Sequence, residues 1–239
     1  MKMKRWTIVH EDEDIVIVNK PALYRSIPDG YDNNIPNLKS KLQEKRPELH
    51  VFQRMDKETS GLMLFTKKQE AQKRLTDQFE QGQFSKIYKA IATNTPPEPV
   101  GQIDLAMSHS EHSRRNVTLN AKGKSAITKY RTIETFQNFS YLEIKSITGR
   151  MHQIRLHMSS IYCPLACDKM YGDGKPIMLS HIKRKYRRSG DQEKPLMDRT
   201  ALHVSDLEFT HPRSKEKVAF NAELPKDMKA VLNQLRKNG

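Results

Sequence analysis

A carboxylate can act as nucleophile or general base only while ionised, and it works best when shielded from bulk water. Asp56 stands in a stretch suited to both demands: Gln53-Arg54-Met55-Asp56-Lys57-Glu58-Thr59-Ser60-Gly61-Leu62. Its first half is polar and charged and ends in a turn-forming Thr-Ser-Gly cluster. The apolar run Leu62 to Phe65 follows, which reads as a strand covered on both faces. Asp56 therefore sits on a loop that a buried strand holds rigid, where reactive groups are commonly displayed. A neighbouring cation would favour its charged form. Cations and donors recur in Arg150-Met151-His152-Gln153-Ile154-Arg155-Leu156-His157. The spacing of Met151, Ile154, Met158 and Ile161 predicts a helix over 150–161 with one apolar stripe. At about 100° per residue, Arg150, Gln153 and His157 flank one edge of that stripe, while Arg155 and His152 project past the other. A third group, Lys86-Ile87-Tyr88-Lys89-Ala90, lies on a predicted strand over 84–92. Strand alternation sets Tyr88 beside the small Ala90 and Ala92, with Ile87 and Ile91 on the opposite side.

Other chemistries lack their parts. Gly172-Asp173-Gly174-Lys175 and Gly123-Lys124-Ser125 miss the first glycine of a phosphate-binding loop. Ser60 has glycine on one side only, so no nucleophile elbow is present. Cys163 and Cys167 supply two thiols, short of a four-ligand zinc set and of a disulfide framework. The acidic turn Glu11 to Asp14 reads as solvated. No apolar run reaches the roughly 18 residues of a membrane helix, and a cytoplasmic location is expected. Charge is more telling. Lys and Arg number 42 against 28 Asp and Glu, a formal net charge of +14. A chain this basic, with its cations clustered, suits a polyanion whose condensed counterions are released on binding. The run Lys183 to Arg188 is a candidate clamp for such a polyanion.

The elements that must position these groups follow from periodicity. Ile15 to Val18 forms a short strand that Lys20-Pro21 ends. Helices are predicted over 36–45, with Leu38 and Leu42 one turn apart, and over 68–81, with Ala71, Leu75 and Phe79 inward and Gly82 as C-cap. Residues 84 to 147 read mostly as strands, at 84–92, 101–107, 116–119, 125–135 and 139–147, and strand-like segments return at 201–209 and 218–220. Residues 175–199 form a basic insertion, and a helix over 225–239 carries a core stripe of Met228, Val231, Leu232 and Leu235. The pattern predicts an α+β fold: a mixed, largely antiparallel central sheet flanked by helices and loops, in one catalytic domain over 1–239.

The three groups, in this order, resemble the three motifs of the RluA-type pseudouridine synthases. The first family motif, H-R-L-D-x-x-T-S-G-L, is met here with Gln53 for the histidine and Met55 for the leucine. The last, T-G-R-x-H-Q-I-R-x-H, is matched at every specified position from Thr148 to His157. Asn19-Lys20-Pro21, Leu202-His203 and His211-Pro212 also look like family landmarks, so the likeness runs from about residue 10 to 223. The resemblance implies the pseudouridine synthase fold and isomerisation of uridine to pseudouridine in ribosomal or transfer RNA; with the fold beginning within about ten residues of Met1, no preceding S4-like domain is expected. It implies Asp56 as the catalytic aspartate, Arg155 as its ion-pair partner and Tyr88 as the ring that stacks on the target uracil. Arg54 would fill the space left by the flipped base or touch the RNA backbone. Arg150, His152 and Gln153 would bind phosphate and ribose, or brace the loop. No metal or organic cofactor is required. The expected partner is structured RNA, with no membrane, and the expected state a monomer. The alternative is a non-catalytic RNA-binding protein on the same fold, with Gln53 as the mark of lost activity.

Overall fold

The computed structural model describes residues 6–30, 32, 34–110, 113–183, 186 and 193–238. In chain order the elements are β1 (Thr7–Glu11), β2 (Ile15–Lys20), α1 (Leu38–Gln43), β3 (His50–Val51), β4 (Ser60–Thr66), α2 (Gln69–Glu80) and β5 (Ser85–Thr93). There follow β6 (Val100–Asp104), β7 (Met107–Ser110), β8 (Ser113–Leu119), β9 (Ile127–Thr135) and β10 (Phe139–Ser146). The chain ends with α3 (Gln153–Ser160), α4 (Leu179–Ile182), β11 (Leu202–Thr210), β12 (Lys217–Asn221) and α5 (Lys226–Asn238). These elements form two compact units, one of residues 1–88 with 203–223 and the other of 89–202 with 224–239.

The first unit is built on β4. All seven of its residues are buried, as the unbroken apolar run Leu62 to Phe65 requires. β2 pairs antiparallel along one edge, from Ile15 opposite Thr66 to Lys20 opposite Gly61, and β1 pairs with β2. Other residue pairs on β4 are made by β3 at its C-terminal end and by β11, in parallel, at Ser60 and Gly61. β12 pairs antiparallel with β11. One parallel pair among antiparallel ones makes the sheet mixed, as expected. The core joins Ile15 to Val18, Leu62 to Phe65, Leu38, Leu42, Leu75, Phe84, Val204 and Phe209. α1 is shorter than predicted because Asn37, one residue after Pro36, is the N-cap: its side chain accepts from Ser40 N. The acidic turn between β1 and β2 is drawn into ion pairs rather than left to solvent. Glu11 meets Arg46 and Lys67, and Asp14 meets Arg213 and Lys68.

In the second unit the strand order is β5, β10, β9, β6, with β9 antiparallel to both β10 and β6. β7 and β8 form a separate antiparallel hairpin. α5 buries Met228, Val231, Leu232 and Leu235, the predicted stripe, against Ile91, Ala166, Ile177 and Met197. Arg199, only 2 % exposed, donates from Nε and Nη2 to Asp227 in the first turn of that helix. Of the basic run, Lys183 closes α4 and Tyr186 is described; Arg184, Lys185, Arg187 and Arg188 lie outside the described residues.

Gly61 is the position where β4 demands a residue without a side chain. Its φ is +108°, and a Cβ there would lie 2.1 Å from the Val204 carbonyl oxygen on β11. Backbone contacts of that kind cannot be relieved by a rotamer change. Gly61→Ala is expected to lower unfolding free energy by about 3 kcal/mol or more, measured by urea denaturation. A loss below about 1 kcal/mol would show that the β4–β11 junction yields easily.

Candidate active site

In the first unit, the loop that carries Asp56 is fastened on both sides of the carboxylate. On the N-terminal side, the Ser26 hydroxyl donates to the Met55 carbonyl at 2.7 Å and accepts from the Met55 N–H at 3.3 Å. The Met55 side chain is itself buried, which the sulfur-containing replacement for leucine achieves with little change in volume. On the C-terminal side, Lys20 Nζ donates to the Lys57 carbonyl at 3.3 Å, to Tyr24 O at 2.8 Å and to Pro21 O at 3.2 Å. Lys20 has no measurable exposure. A buried ammonium must find acceptors, and here it finds backbone carbonyls that tie two loops together. Just beyond, the Ser60 hydroxyl meets His203 Nδ1 at 2.9 Å. His203 Nε2 lies 3.2 Å from the Ala222 carbonyl, which can only accept; in the tautomer with the proton on Nε2, Nδ1 accepts a hydrogen bond from the Ser60 hydroxyl.

Asp56 is half-buried within this frame, and Arg54 on the same loop is exposed. On β5, Tyr88 is half-buried and Lys86 is 5 % exposed. Burial pushes the Tyr88 hydroxyl well above its ordinary value, and the Asp56 charge pushes it the same way. Burial lowers Lys86 to about 8, with the Asp56 charge opposing. Both groups therefore feel the Asp56 carboxylate. Lys86 Nζ also lies 5.4 Å from the Tyr88 ring centroid, in cation–π range.

In the second unit, α3 begins at Gln153, three residues later than predicted. His152 has φ +54°, a left-handed conformation that cannot continue a helix backwards. The helical projection therefore fails for Arg150 and His152, which precede α3. Gln153 and His157, expected at the edge of the stripe, are 3 % and 0 % exposed. The Gln153 amide makes four contacts: Oε1 accepts from Thr148 Oγ1 at 2.7 Å and Arg150 N at 3.0 Å, and Nε2 donates to Ile127 O and Thr128 Oγ1, both at 2.9 Å. That amide braces the turn; of the two roles expected for Gln153, the geometry fits support rather than RNA contact. His157 extends the network, with Nδ1 3.0 Å from Thr128 Oγ1 and Nε2 3.0 Å from the Leu105 carbonyl. Its burial lowers its tendency to charge. Arg150 is exposed and donates from Nε to Ser125 O at 3.0 Å.

Arg155, expected past the edge of the stripe, is 9 % exposed. Its Nε and Nη2 donate to the two carboxylate oxygens of Asp168 at 2.7 and 2.8 Å. Its guanidinium carbon lies 5.2 Å from the Tyr171 ring centroid. The Tyr171 hydroxyl in turn meets His152 Nδ1 at 3.0 Å and accepts from Val117 N on β8 at 3.3 Å. Asp168, Tyr171, Lys20 and Ser26 were not singled out for these roles by sequence. A lone aspartate inside Pro164-Leu165-Ala166-Cys167-Asp168 was the available sign that a buried cation needed a partner. Burial alone would raise the Asp168 carboxyl. The Arg155 donors and charge, with the N–H groups of Met170 and Tyr171, hold it below the usual range instead.

The chain is similar to known proteins along most of its length. A family model described as RNA pseudouridylate synthase matches residues 14–160. A ribosomal large subunit pseudouridine synthase D of Neisseria meningitidis serogroup B is 36 % identical over 236 residues, 96 % of this chain and 61 % of the relative. This chain thus spans about three-fifths of that protein's length. An uncharacterized RNA pseudouridine synthase of Bacillus subtilis is 33 % identical over 242 residues, covering 97 % of this chain and 73 % of the relative. Among solved structures, human RNA pseudouridylate synthase domain containing 4 superposes with a TM-score of 0.70 at 23 % identity, over 96 % of this chain and 92 % of that one. That likeness bears on the fold.

The Arg155–Asp168 pair gives a prediction. A depressed carboxyl contributes stability above its unfolded pKa of about 4, and the contribution is lost as pH falls through the lower folded value. Asp168→Asn should cost about 3 kcal/mol in urea unfolding at neutral pH, with the gap to the parent closing as pH drops below about 4. A gap independent of pH would contradict an ionised Asp168. With motifs, fold and family model in accord, the chain belongs to the RNA pseudouridylate synthase family.

Proposed function

We propose that this chain isomerises uridine to pseudouridine in large-subunit ribosomal RNA, with Asp56 as the catalytic carboxylate. The observation that carries this reading is the fastening of Asp56 on both sides, by Ser26 and Lys20, beside a half-buried Tyr88. The relatives' names supply the RNA class, and the basic charge of the chain suits it. The reaction breaks the N1–C1′ bond of the uridine, turns the uracil, joins C5 to C1′, moves the C5 proton away and returns a proton to N1. Atoms and electrons balance within the nucleotide, so no redox partner is consumed.

Each residue has a task in that sequence. Asp56 starts the exchange as nucleophile or base and must be ionised when RNA arrives. Tyr88 offers a ring face on which the flipped uracil stacks, a contact that needs only the flat base. The family resemblance gives Arg155, which Asp168 orients, the part of the catalytic cation. Arg54, exposed and next but one to Asp56, enters the space the base vacates or meets the RNA backbone. Arg150 and His152 meet phosphate or ribose, with the basic segment 175–199 as a further RNA contact. Flipping the base costs a few kcal/mol, which favours uridines in loops and junctions.

Tritium release from RNA labelled at uracil C5 tests the reading. The parent should release tritium from large-subunit ribosomal RNA, and Asp56→Asn should release at least about 1,000-fold less while still binding RNA. Turnover by Asp56→Asn at the parental rate would remove the carboxylate from the chemistry.

A further inference from the structure

Gln53 is one of the two positions, with Met55, where this chain leaves the first motif of its family, and the structure gives the glutamine a partner. Its Oε1 lies 3.5 Å from Lys86 Nζ, a long contact with the geometry of a donor facing a carbonyl. We propose that Gln53 and Lys86 form a positioning pair for the Asp56 site, holding an ammonium against the Tyr88 ring where it favours the ionised carboxylate. This rests on the reading of Asp56 and Tyr88 given above.

Lysines are seldom buried, because the ammonium loses its water and must be compensated. Lys86 is buried all the same, at 5 % exposure, with its Nζ 5.4 Å from the Tyr88 ring centroid. Lys86 and Tyr88 are two residues apart on β5, so their side chains leave the strand on one face. The cation therefore covers one face of the ring, fixes its plane and reserves the opposite face for the base. The charged and titratable groups of the first unit that act on Lys86 are Asp56, from the loop before β4, and Tyr88, from its own strand. On β11, Asp206 is engaged by Ser205 and Asn221.

Gln53 suits this pair better than an ionisable ring. A carboxamide oxygen accepts from an ammonium at every pH, whereas a histidine there would, once protonated, set a like charge against Lys86. Gln53 thus retains the hydrogen-bonding task of the position and removes its charge. Burial lowers Lys86 to about 8, which brings loss of its proton into the range where the enzyme can be assayed.

The test is single-turnover tritium release as a function of pH, from about 6 to about 9, with parent, Lys86→Arg, Lys86→Met and Gln53→Glu measured side by side. Ionisation of the RNA is common to all four and cancels in the comparison. In the parent, the rate should fall above a midpoint near 8. Lys86→Arg should stay within about 10-fold of the parent and lose that limb, because a guanidinium keeps its proton. Gln53→Glu should move the limb upward by about one pH unit, since a carboxylate favours the ammonium. Lys86→Met should lower the rate about 100-fold, with RNA affinity within about threefold of the parent. If Lys86→Met fails to fold, the limbs of the parent and Gln53→Glu decide. Active parent with a limb unmoved by Lys86→Arg and Gln53→Glu would overturn this inference alone. A parent without turnover would overturn the proposed function as well.

Discussion

A loop keeps its place only if its backbone is held, and around Asp56 that holding falls on a buried lysine and a serine hydroxyl. Lys20 and Ser26 hold the residues on either side of Asp56, at Lys57 O and at Met55 O and N. Lys20 ends β2, which is paired along β4, and Gly61 of β4 abuts the backbone of Val204. The Asp56 loop is thus attached to the most completely buried strand of its unit rather than to a flexible surface. A loop so held does not have to be ordered by RNA, and the ordering entropy is met during folding.

The second unit solves a related problem for a cation. Arg155 is taken from water, which would be costly without compensation, and Asp168 supplies it with a two-pronged match to the guanidinium. The Tyr171 ring adds a face for the cation and a hydroxyl that reaches His152 and β8. Gln153 and His157 spend their polar atoms on strands and turns of the same unit. The motif from Thr148 to His157 thus buries most of its polar groups in contacts within its own unit, with Arg150 left exposed.

Much of this was legible in the sequence. The buried run Leu62 to Phe65 and the stripe of α5 depend on periodicity alone, and each stands where it was expected. The start of α3 was not legible, because a helical projection carries no sign of the left-handed backbone at His152. Nor were the roles of Lys20, Ser26, Asp168 and Tyr171, since their partners are far away in the chain. Gln53 is a more instructive case. Measured against its family motif it reads as a loss, and only the position of Lys86 turns it into an acceptor with a purpose.

The proposed roles of these residues stand or fall with the conversion of uridine to pseudouridine in the large ribosomal subunit. The most direct measurement is a pseudouridine map of large-subunit ribosomal RNA from cells with and without this protein, and from deleted cells given back the parent or Asp56→Asn. One or a few pseudouridines should vanish on deletion, return with the parent and stay absent with Asp56→Asn. An unchanged map, or sites restored equally by Asp56→Asn, would contradict it.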